Sequence, residues 1–514
     1  MDGQPSGETE DWGPFGRPLF DDPSSRALAR VGVVDVGSNS VRLVVFDGAA
    51  RSPAYFFNEK VMAGLGTGLA ETGRLHPDGR DRALKAIKRF QMLADAMDIS
   101  PLTAVATAAV REAKDGPDFC DDVLRETGLT LWVIKGAEEA RLSAQGVLLG
   151  WPGASGLVCD IGGSSMELAE VKDGAVGTCL SSKLGPQRLK TIKGGQKARR
   201  KAIQAGVAEL VAKVDTTSDR LFLVGGSWRA IARIDMDRRG YPLTVLHEYR
   251  MTRKALYATI QHVEETTTDD LRARTGIGES RMALVPLAAQ VLKEMVRALK
   301  PKEIIISSYG IREGMLYEQM PDPLRNRDPL IEACRFAEYK DARMPGFGRR
   351  LFEFVQPLVT SRNAPQKRLV KAACLLHDIS WRAHPDYRHE VCFDEVTRAN
   401  LGGLTHKERV FLGVALLHRY KNSRDGSPFT ELFEMLSDDD LRWAEILGKA
   451  MRFGAMLTAS KDKAMGKLRY YPKRKCLELH LSPGTRDLFG EVAEARLGAL
   501  AQTLGEIEVR VKGR

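Results

Sequence analysis

Two short stretches of the chain place apolar residues on both sides of a tight polar turn. VVDVGSNSVRLVVF (residues 33–46) and VCDIGGSSMELAEV (residues 158–171) each begin as a buried strand, pass an acid, turn through Gly and Ser, and become apolar again. This turn chemistry predicts a β-hairpin in each stretch. The two stretches align without gaps at an offset of 125 residues, which pairs Asp35 with Asp160. The repeat suggests two related lobes that face a cleft.

Strand-like runs alternate with helical patterns over the rest of the first 320 residues. Segments 102–112, 129–150, 221–234 and 303–320 each have the pattern of a strand followed by a helix. This alternation is typical of α/β layers. We therefore predict an α/β fold with one lobe over residues 28–150 and a second over residues 151–325.

The pattern changes after the Pro-Asp-Pro sequence at residues 321–323. Residues 330 to about 460 lose their β-branched runs and become helical, and the last fifty residues have the pattern of a short strand pair and a helix. We predict a domain boundary near residue 325, followed by an all-α domain over residues 326–514. The acidic, Gly/Pro/Ser-rich residues 1–27 are predicted to form a mobile tail.

Composition narrows the class of protein. The seven cysteines among 514 residues are scattered and contain no CxxC pair, so they indicate neither a disulfide framework nor a cysteine metal site. No apolar run reaches the roughly 18 residues that a membrane helix needs, and the N-terminus lacks a signal-peptide core. We expect no membrane association and a reducing cytoplasm.

The net charge of +10 concerns the partners of the protein more than its fold. Residues 181–201 carry eight Lys and Arg and no acid, and residues 467–475 place five basic residues around two tyrosines. Such runs are often solvated surfaces. They would equally bind a polyanion, and both nucleic acid and an inorganic phosphate chain qualify.

The residues in the two turns form the pattern of a phosphate clamp. Glycine turns let backbone amides approach an anion, and carboxylates are ligands that Mg²⁺ prefers. The ordinary alternative is that the acids only accept hydrogen bonds from turn amides. The predicted phosphate-binding residues are Gly37, Ser38, Asn39, Ser40, Gly162, Gly163, Ser164 and Ser165, and the predicted metal ligands are Asp35, Asp160 and Glu167.

Hydrolysis also needs a base that orients a water molecule. Glu138 and Glu139 lie at a strand-to-helix junction, where α/β proteins commonly place cleft residues, although acids in a first helical turn often serve only the helix dipole. Arg111, at the end of an apolar run, could supply positive charge to a phosphoryl group or form a surface ion pair. Both alternatives stay open from position alone.

Seven motifs in order resemble one family. DVGSNSVRL, ATAAVREA, GAEEARLSAQGV, DIGGSSMEL, LG-PQRL, VGGSWRAIA and SSYGIREGML are similar to the exopolyphosphatase/guanosine pentaphosphatase family over roughly residues 30–320. The resemblance implies the actin, sugar-kinase and Hsp70 superfold, whose two lobes are duplicated ribonuclease-H-like units. It also implies a divalent cation such as Mg²⁺, and related enzymes are often homodimers.

The resemblance assigns roles to particular residues. Glu139 matches the catalytic base for water, and Arg111 matches the arginine that binds the terminal phosphate. Asp160 and Glu167 match acids near the metal, and Asp35 heads the first phosphate loop. One departure is Ser164, where the family usually has a third glycine; serine restricts φ, so a slightly different loop shape is expected.

The helical region raises a separate hypothesis. LLHDISWRAHPDYRHE contains His377-Asp378 and resembles the HD phosphohydrolases, whose metal site uses a His, a His-Asp pair and a later Asp. No histidine lies between His262 and His377 to supply the first ligand. We therefore expect an HD-like helical fold without the metal site, in which His377 is a partly buried histidine.

Four functions are compatible with these features. The leading hypothesis is an exopolyphosphatase that releases terminal phosphate from inorganic polyphosphate by metal-assisted water attack. A guanosine pentaphosphate phosphohydrolase would use the same groups. An ATP-dependent kinase or switch of the same superfold, and a nucleic-acid-binding module that rests on the basic runs alone, are weaker alternatives.

Overall fold

The computed structural model describes residues 30–47, 51–52, 54–99, 102–215, 217–320, 322–360, 362–457 and 466–513. The predicted N-terminal tail, residues 1–27, lies outside the described residues. The chain divides into two compact units, Met1–Arg327 and Asp328–Arg514.

The first unit alternates strands and helices, as the sequence predicted. Its strands are β1 (Val31–Val36), β2 (Val41–Phe46), β3 (Tyr55–Val61), β4 (Leu102–Ala106), β5 (Leu131–Val133), β6 (Gly156–Ile161), β7 (Met166–Lys172), β8 (Ala175–Ser182), β9 (Arg220–Val224), β10 (Arg250–Met251) and β11 (Glu303–Ile306). Its helices are α1 (Leu69–Thr72), α2 (Pro77–Ala96), α3 (Ala108–Glu112), α4 (Gly116–Thr127), α5 (Gly136–Gly150), α6 (Pro186–Lys190), α7 (Gly195–Val211), α8 (Gly226–Arg238), α9 (Arg253–Glu265), α10 (Thr268–Thr275), α11 (Glu279–Met282), α12 (Val285–Leu299), α13 (Ile311–Glu318) and α14 (Asp322–Arg325).

Two mixed sheets of the same topology organise this unit. The first has the order β3-β2-β1-β4-β5, and the second has the order β10-β11-β9-β6-β7-β8. In each sheet the hairpin strands are antiparallel, and the first hairpin strand is parallel to the next strand inward, β1 to β4 and β6 to β9. The predicted hairpins therefore occupy equivalent positions in the two sheets, and β10 is an additional edge strand in the second.

Two glycines let helices α5 and α13 approach closely between the sheets. A Cβ on Gly314 would lie 1.8 Å from the carbonyl oxygen of Leu142, and one on Gly146 would lie 2.2 Å from that of Gly310. Side chains from both sheets, including Val33 of β1, join these helices in one buried core. This contact fixes the N-terminal turn of α5 relative to both hairpins.

The second unit is mainly helical but not all-α, which corrects the prediction. Its helices are α15 (Pro329–Asp341), α16 (Phe347–Val355), α17 (Ala364–Leu376), α18 (Arg388–Arg398), α19 (His406–Tyr420), α20 (Thr430–Phe433), α21 (Asp438–Leu457) and α22 (Glu491–Thr503), and its strands are β12 (Lys467–Tyr471), β13 (Cys476–His480) and β14 (Glu508–Lys512). The expected strand pair is β12 and β13. The unexpected β14 pairs parallel to β13, from Cys476 opposite Glu508. A parallel partner separated by a helix leaves no local turn signal in the sequence.

Within the described residues, every helix is too short or too polar to cross a bilayer.

Candidate active site

The two hairpin turns have the same backbone geometry. The amide of Gly37 donates to the carbonyl of Ser40 at 3.0 Å, and the amide of Gly162 donates to the carbonyl of Ser165 at 3.0 Å. These two amides close the turns and are therefore not available to a ligand. The repeat seen in the sequence is thus a repeat of the loop conformation.

The interior amides of both turns remain as candidate anion donors. Among the described residues, the amides of Ser38, Asn39, Gly163 and Ser164 donate to no backbone carbonyl. The carbonyls of the first turn already accept hydrogen bonds. The amide of Gly66 donates to the carbonyl of Ser38 at 2.8 Å, and the amide of Gly64 donates to that of Asn39 at 3.0 Å. Because these carbonyls hold the turn in place while its amides have no backbone acceptor, the turn could bind an anion through those amides.

The two turns touch each other through serine side chains. Ser38 Oγ and Ser164 Oγ are 3.0 Å apart in a buried hydrogen bond. Ser164 does not have a positive φ, so the serine at the family's third glycine position is accommodated without strain. A Cβ on the preceding Gly163 would lie 2.6 Å from Gln187 Oε1, so any larger residue there would require the Gln187 side chain to move.

Two acids, the buried Glu167 and the partly buried Asp160, form a cross-strand pair on the second hairpin. Asp160, at the end of β6, lies directly opposite Glu167 on β7. Ser143 Oγ donates to Asp160 Oδ2, and Ser181 Oγ donates to Glu167 Oε1 at 2.9 Å. The other oxygen of Glu167, Oε2, is buried and accepts no hydrogen bond from the described residues. A buried carboxylate oxygen without a donor can ligate a cation.

The first hairpin differs at the matching position. Asp35 lies opposite Arg42 rather than opposite an acid, and Arg312 Nη1 donates to Asp35 Oδ2 at 3.3 Å. Among the described residues, no three His, Cys, Asp or Glu side chains converge in a geometry that would hold a metal ion. The three predicted ligands therefore do not form one cluster, and the acid pair lies on the second lobe.

Glu139 and Arg111 form an ion pair beside these acids. Glu139 lies in the first turn of α5 and is 8% exposed. Arg111 Nη1 lies 3.4 Å from Glu139 Oε2 and also donates to the carbonyl of Ile134 at 2.7 Å. The neighbouring Glu138 is instead held by Arg141, through hydrogen bonds of 2.7 and 2.9 Å. Of the two adjacent acids, Glu139 therefore lies at the candidate site, whereas Glu138 forms an ion pair near the surface.

Burial and mutual repulsion shift the pKa of these carboxyl groups. Burial, followed by the nearby Asp160, raises the pKa of Glu139 to about 8, although Arg111 opposes the shift. Burial also raises the pKa of Glu167, with Glu139 and Asp160 as the next causes. The pKa of Asp160 is raised by burial and lowered in part by the bond from Ser143. A nearby cation would favour the ionised forms and lower these pKa values.

Three site residues were not singled out from the sequence. Arg312 donates to Asp35, and Ser143 donates to Asp160. Burial, followed by Arg312 and Arg281, lowers the pKa of Arg229 to about 10, a shift that Asp160 opposes. All three occur inside quoted motifs, GIREG, ARLSAQ and SWRAIA. Each of the three is a basic or hydroxyl residue within a quoted motif, and this position could have identified it as a candidate site residue.

The His-Asp motif of the second unit has ordinary protein partners. Arg343 donates to both oxygens of Asp378, at 2.8 and 2.5 Å. His377 is buried, with Nδ1 2.9 Å from the carbonyl of Cys374. These contacts occupy the carboxylate that an HD metal site would use.

Two sheets of like topology thus carry open loop amides, a cross-strand acid pair and a Glu–Arg pair, an arrangement suited to a phosphoryl group. Residues 44–322 match the Ppx/GppA phosphatase family, and residues 342–509 match the domain described as exopolyphosphatase, C-terminal. The chain belongs to the Ppx/GppA phosphatase family and is accordingly a hydrolase.

Individual relatives are modestly similar. Exopolyphosphatase 1 of Mycobacterium tuberculosis is 26% identical over 327 residues, which covers 59% of this chain and 92% of that protein. A guanosine-5'-triphosphate,3'-diphosphate pyrophosphatase of Pseudoalteromonas atlantica is 26% identical over 303 residues, covering 57% and 59%. The crystal structure of the Aquifex aeolicus family member superposes with a TM-score of 0.50 at 25% identity, covering 57% of this chain and 97% of that one.

Proposed function

We propose that this protein is an exopolyphosphatase that releases the terminal phosphate of inorganic polyphosphate by attack of water. The observation that carries the proposal is the part-buried Glu139–Arg111 pair beside two hairpin turns with open amides. The relatives named exopolyphosphatase support the choice of substrate.

Glu139 is the proposed base. A carboxyl group with a pKa near the working pH accepts a proton most effectively while remaining partly ionised, and the pKa of Glu139 is raised to about 8. Its carboxylate would orient the attacking water and accept its proton. Arg111, fixed by the Ile134 carbonyl, would balance the charge of the phosphoryl oxygens.

The turns are the proposed phosphate cradle. The amides of Ser38, Asn39, Gly163 and Ser164 would donate to oxygens of the terminal phosphate, and the hydroxyls of Ser40 and Ser165 lie at the ends of the same turns. Gly37 and Gly162 would act indirectly, since their amides hold the turns closed.

A divalent cation such as Mg²⁺ fits the acids that are present. Glu167 Oε2 is a buried oxygen without a donor, and Asp160 lies opposite it across the strands. Mg²⁺ usually takes one or two carboxylates, retains waters and binds substrate phosphates. When bound it would neutralise phosphate charge, with Asp160 and Glu167 as ligands and Asp35, already paired with Arg312, as a weaker candidate.

The finer fold assignments are also proposals. The shared strand order of the two sheets supports duplicated ribonuclease-H-like lobes of the actin, sugar-kinase and Hsp70 superfold. For the second unit we propose an HD-like helical arrangement in which the Arg343–Asp378 pair occupies the metal position. We further propose a cytoplasmic location and a homodimer.

The second candidate is hydrolysis of guanosine pentaphosphate, favoured by the Pseudoalteromonas relative. Phosphate release with Mg²⁺ from long-chain polyphosphate, guanosine pentaphosphate and ATP separates the candidates, with ATP testing the kinase alternative.

Glu139→Gln should lose at least a hundredfold in kcat, whereas the adjacent Glu138→Gln should retain activity because Arg141 already pairs with Glu138. Full activity of Glu139→Gln would refute the proposed base.

A further inference from the structure

The second unit contains a buried arginine that is paired with no carboxylate of the described residues. Arg419, in the last turn of α19, is 8% exposed. Its Nε is buried and has no hydrogen-bond partner among the residues that the structure describes. Taking a charge out of water is costly unless an opposite charge or hydrogen bonds compensate for it. The positive charge of Arg419 therefore calls for an anion from outside the described residues.

The neighbouring tyrosine holds a second arginine. The guanidinium carbons of Arg419 and Arg388 lie 4.8 and 5.5 Å from the centroid of the Tyr420 ring, which is the range of a cation–π contact. The Tyr420 hydroxyl donates to the carbonyl of His377 at 2.8 Å, so the ring is held at the end of α17. Arg388 Nε and Nη2 donate to the carbonyl of Ala383 at 3.1 and 3.0 Å. We call Arg388, Arg419 and Tyr420 the Tyr420 cluster.

The carboxylate beside this cluster is already bound by another arginine. Asp378 directly follows His377, whose carbonyl the Tyr420 hydroxyl contacts. Both carboxylate oxygens of Asp378 accept hydrogen bonds from the Arg343 side chain, at 2.5 and 2.8 Å. Burial lowers the pKa of Arg419, a shift that Tyr420 and then Asp378 oppose. The negative charge of Asp378 is therefore shared with Arg343, and the Tyr420 cluster keeps an excess of positive charge.

This arrangement suits a phosphate group. An arginine carries five N–H donors in a planar fork that matches the oxygens of a phosphate in pairs, and those of Arg419 have no acceptor among the described residues. With Arg388, the cluster offers two positive charges. A phosphate group carries up to two negative charges and balances both arginines, whereas one carboxylate balances one. Because Arg419 is 8% exposed, its opening admits an ion or a terminal group rather than an extended chain.

We propose that the Tyr420 cluster is a binding site for a phosphate group, either free orthophosphate or the terminal phosphate of a larger ligand. Arg419 would bind the phosphate oxygens through its guanidinium fork, and Arg388 would supply the second positive charge. The Tyr420 ring would hold both cations in position. All three residues belong to the second unit, so the proposal goes beyond the proposed function and does not depend on it.

Hydrogen–deuterium exchange of the full chain, read by mass spectrometry, tests the site at its own position. Orthophosphate at ten times its dissociation constant should slow exchange in α19 and around Arg388 by about tenfold, for openings that release the ion. Arg419→Met keeps a long unbranched stem in the core and removes the charge, so it should abolish this protection. Arg349→Met, at an 83% exposed arginine that pairs with Glu353 on α16, is the charge-matched control and should keep it.

Two results would overturn the proposal: no protection of these peptides in the wild type, and protection that survives Arg419→Met. If Arg419→Met does not fold, the wild-type result and Arg388→Gln decide, because Arg388 is only partly buried and loss of its charge should weaken the protection.

A second ligand distinguishes the two sources of the phosphate group. Tripolyphosphate is tested in the Glu139→Gln background to prevent its turnover. Protection by orthophosphate assigns the site to the free ion, and protection by tripolyphosphate alone assigns it to a terminal phosphate. A protein that hydrolyses no polyphosphate but shows this protection would refute the proposed function and retain the site.

Discussion

Ser38 Oγ and Ser164 Oγ form a hydrogen bond of 3.0 Å that joins the two hairpin turns, one from each lobe. The residues are 126 positions apart, so the contact exists only when the lobes are assembled. It places the open amides of both turns on a common site.

This bond predicts energetic coupling between the turns. A buried neutral hydrogen bond contributes about 1 kcal/mol, and either single Ala substitution removes it. Ser38→Ala and Ser164→Ala should therefore each lower the free energy of unfolding, and the double variant should cost about 1 kcal/mol less than their sum. Denaturant unfolding of the four proteins measures this coupling. Strict additivity would show that the contact contributes nothing to lobe assembly.

The burial of Glu139 should lower the stability of the folded protein even though its carboxyl group is needed for the proposed activity. Its pKa, raised by burial to about 8, means that the folded protein holds this proton more tightly than the unfolded chain. Such a carboxyl group costs stability above its unfolded pKa of about 4.3, and the cost grows until the pH passes about 8. Glu139→Gln should then be more stable than the wild type at pH 8, by roughly 1–3 kcal/mol, while losing phosphate release. Unfolding at pH 5 and pH 8 tests the sign: the stability gain should be larger at pH 8. A gain that is equal at both values would contradict the raised pKa.

The sequence predicted the hairpins and Glu139 because their signals are local. An acid before a Gly/Ser turn, and a strand-to-helix junction, are each contained within about fifteen residues, and the repeat strengthened the first. The approach of Arg312 to Asp35 depends on the packing of segments far apart in the chain, to which no short pattern corresponds. The same applies to β14, whose partner β13 lies about thirty residues earlier. The Ser38–Ser164 bond could not be predicted from the family pattern, because that pattern usually has glycine at the position of Ser164.

Asp378 predicts a structural role without metal chemistry. Its carboxylate is 3% exposed and is bound by two nitrogens of Arg343. Hydrogen bonds to a charged group contribute about 1.5–3 kcal/mol, so Asp378→Asn should lower the free energy of unfolding by about that amount. Phosphate release per folded molecule and the content of bound metal should match the wild type. Loss of a tightly bound metal ion from Asp378→Asn, measured by elemental analysis, would instead establish an HD-type site.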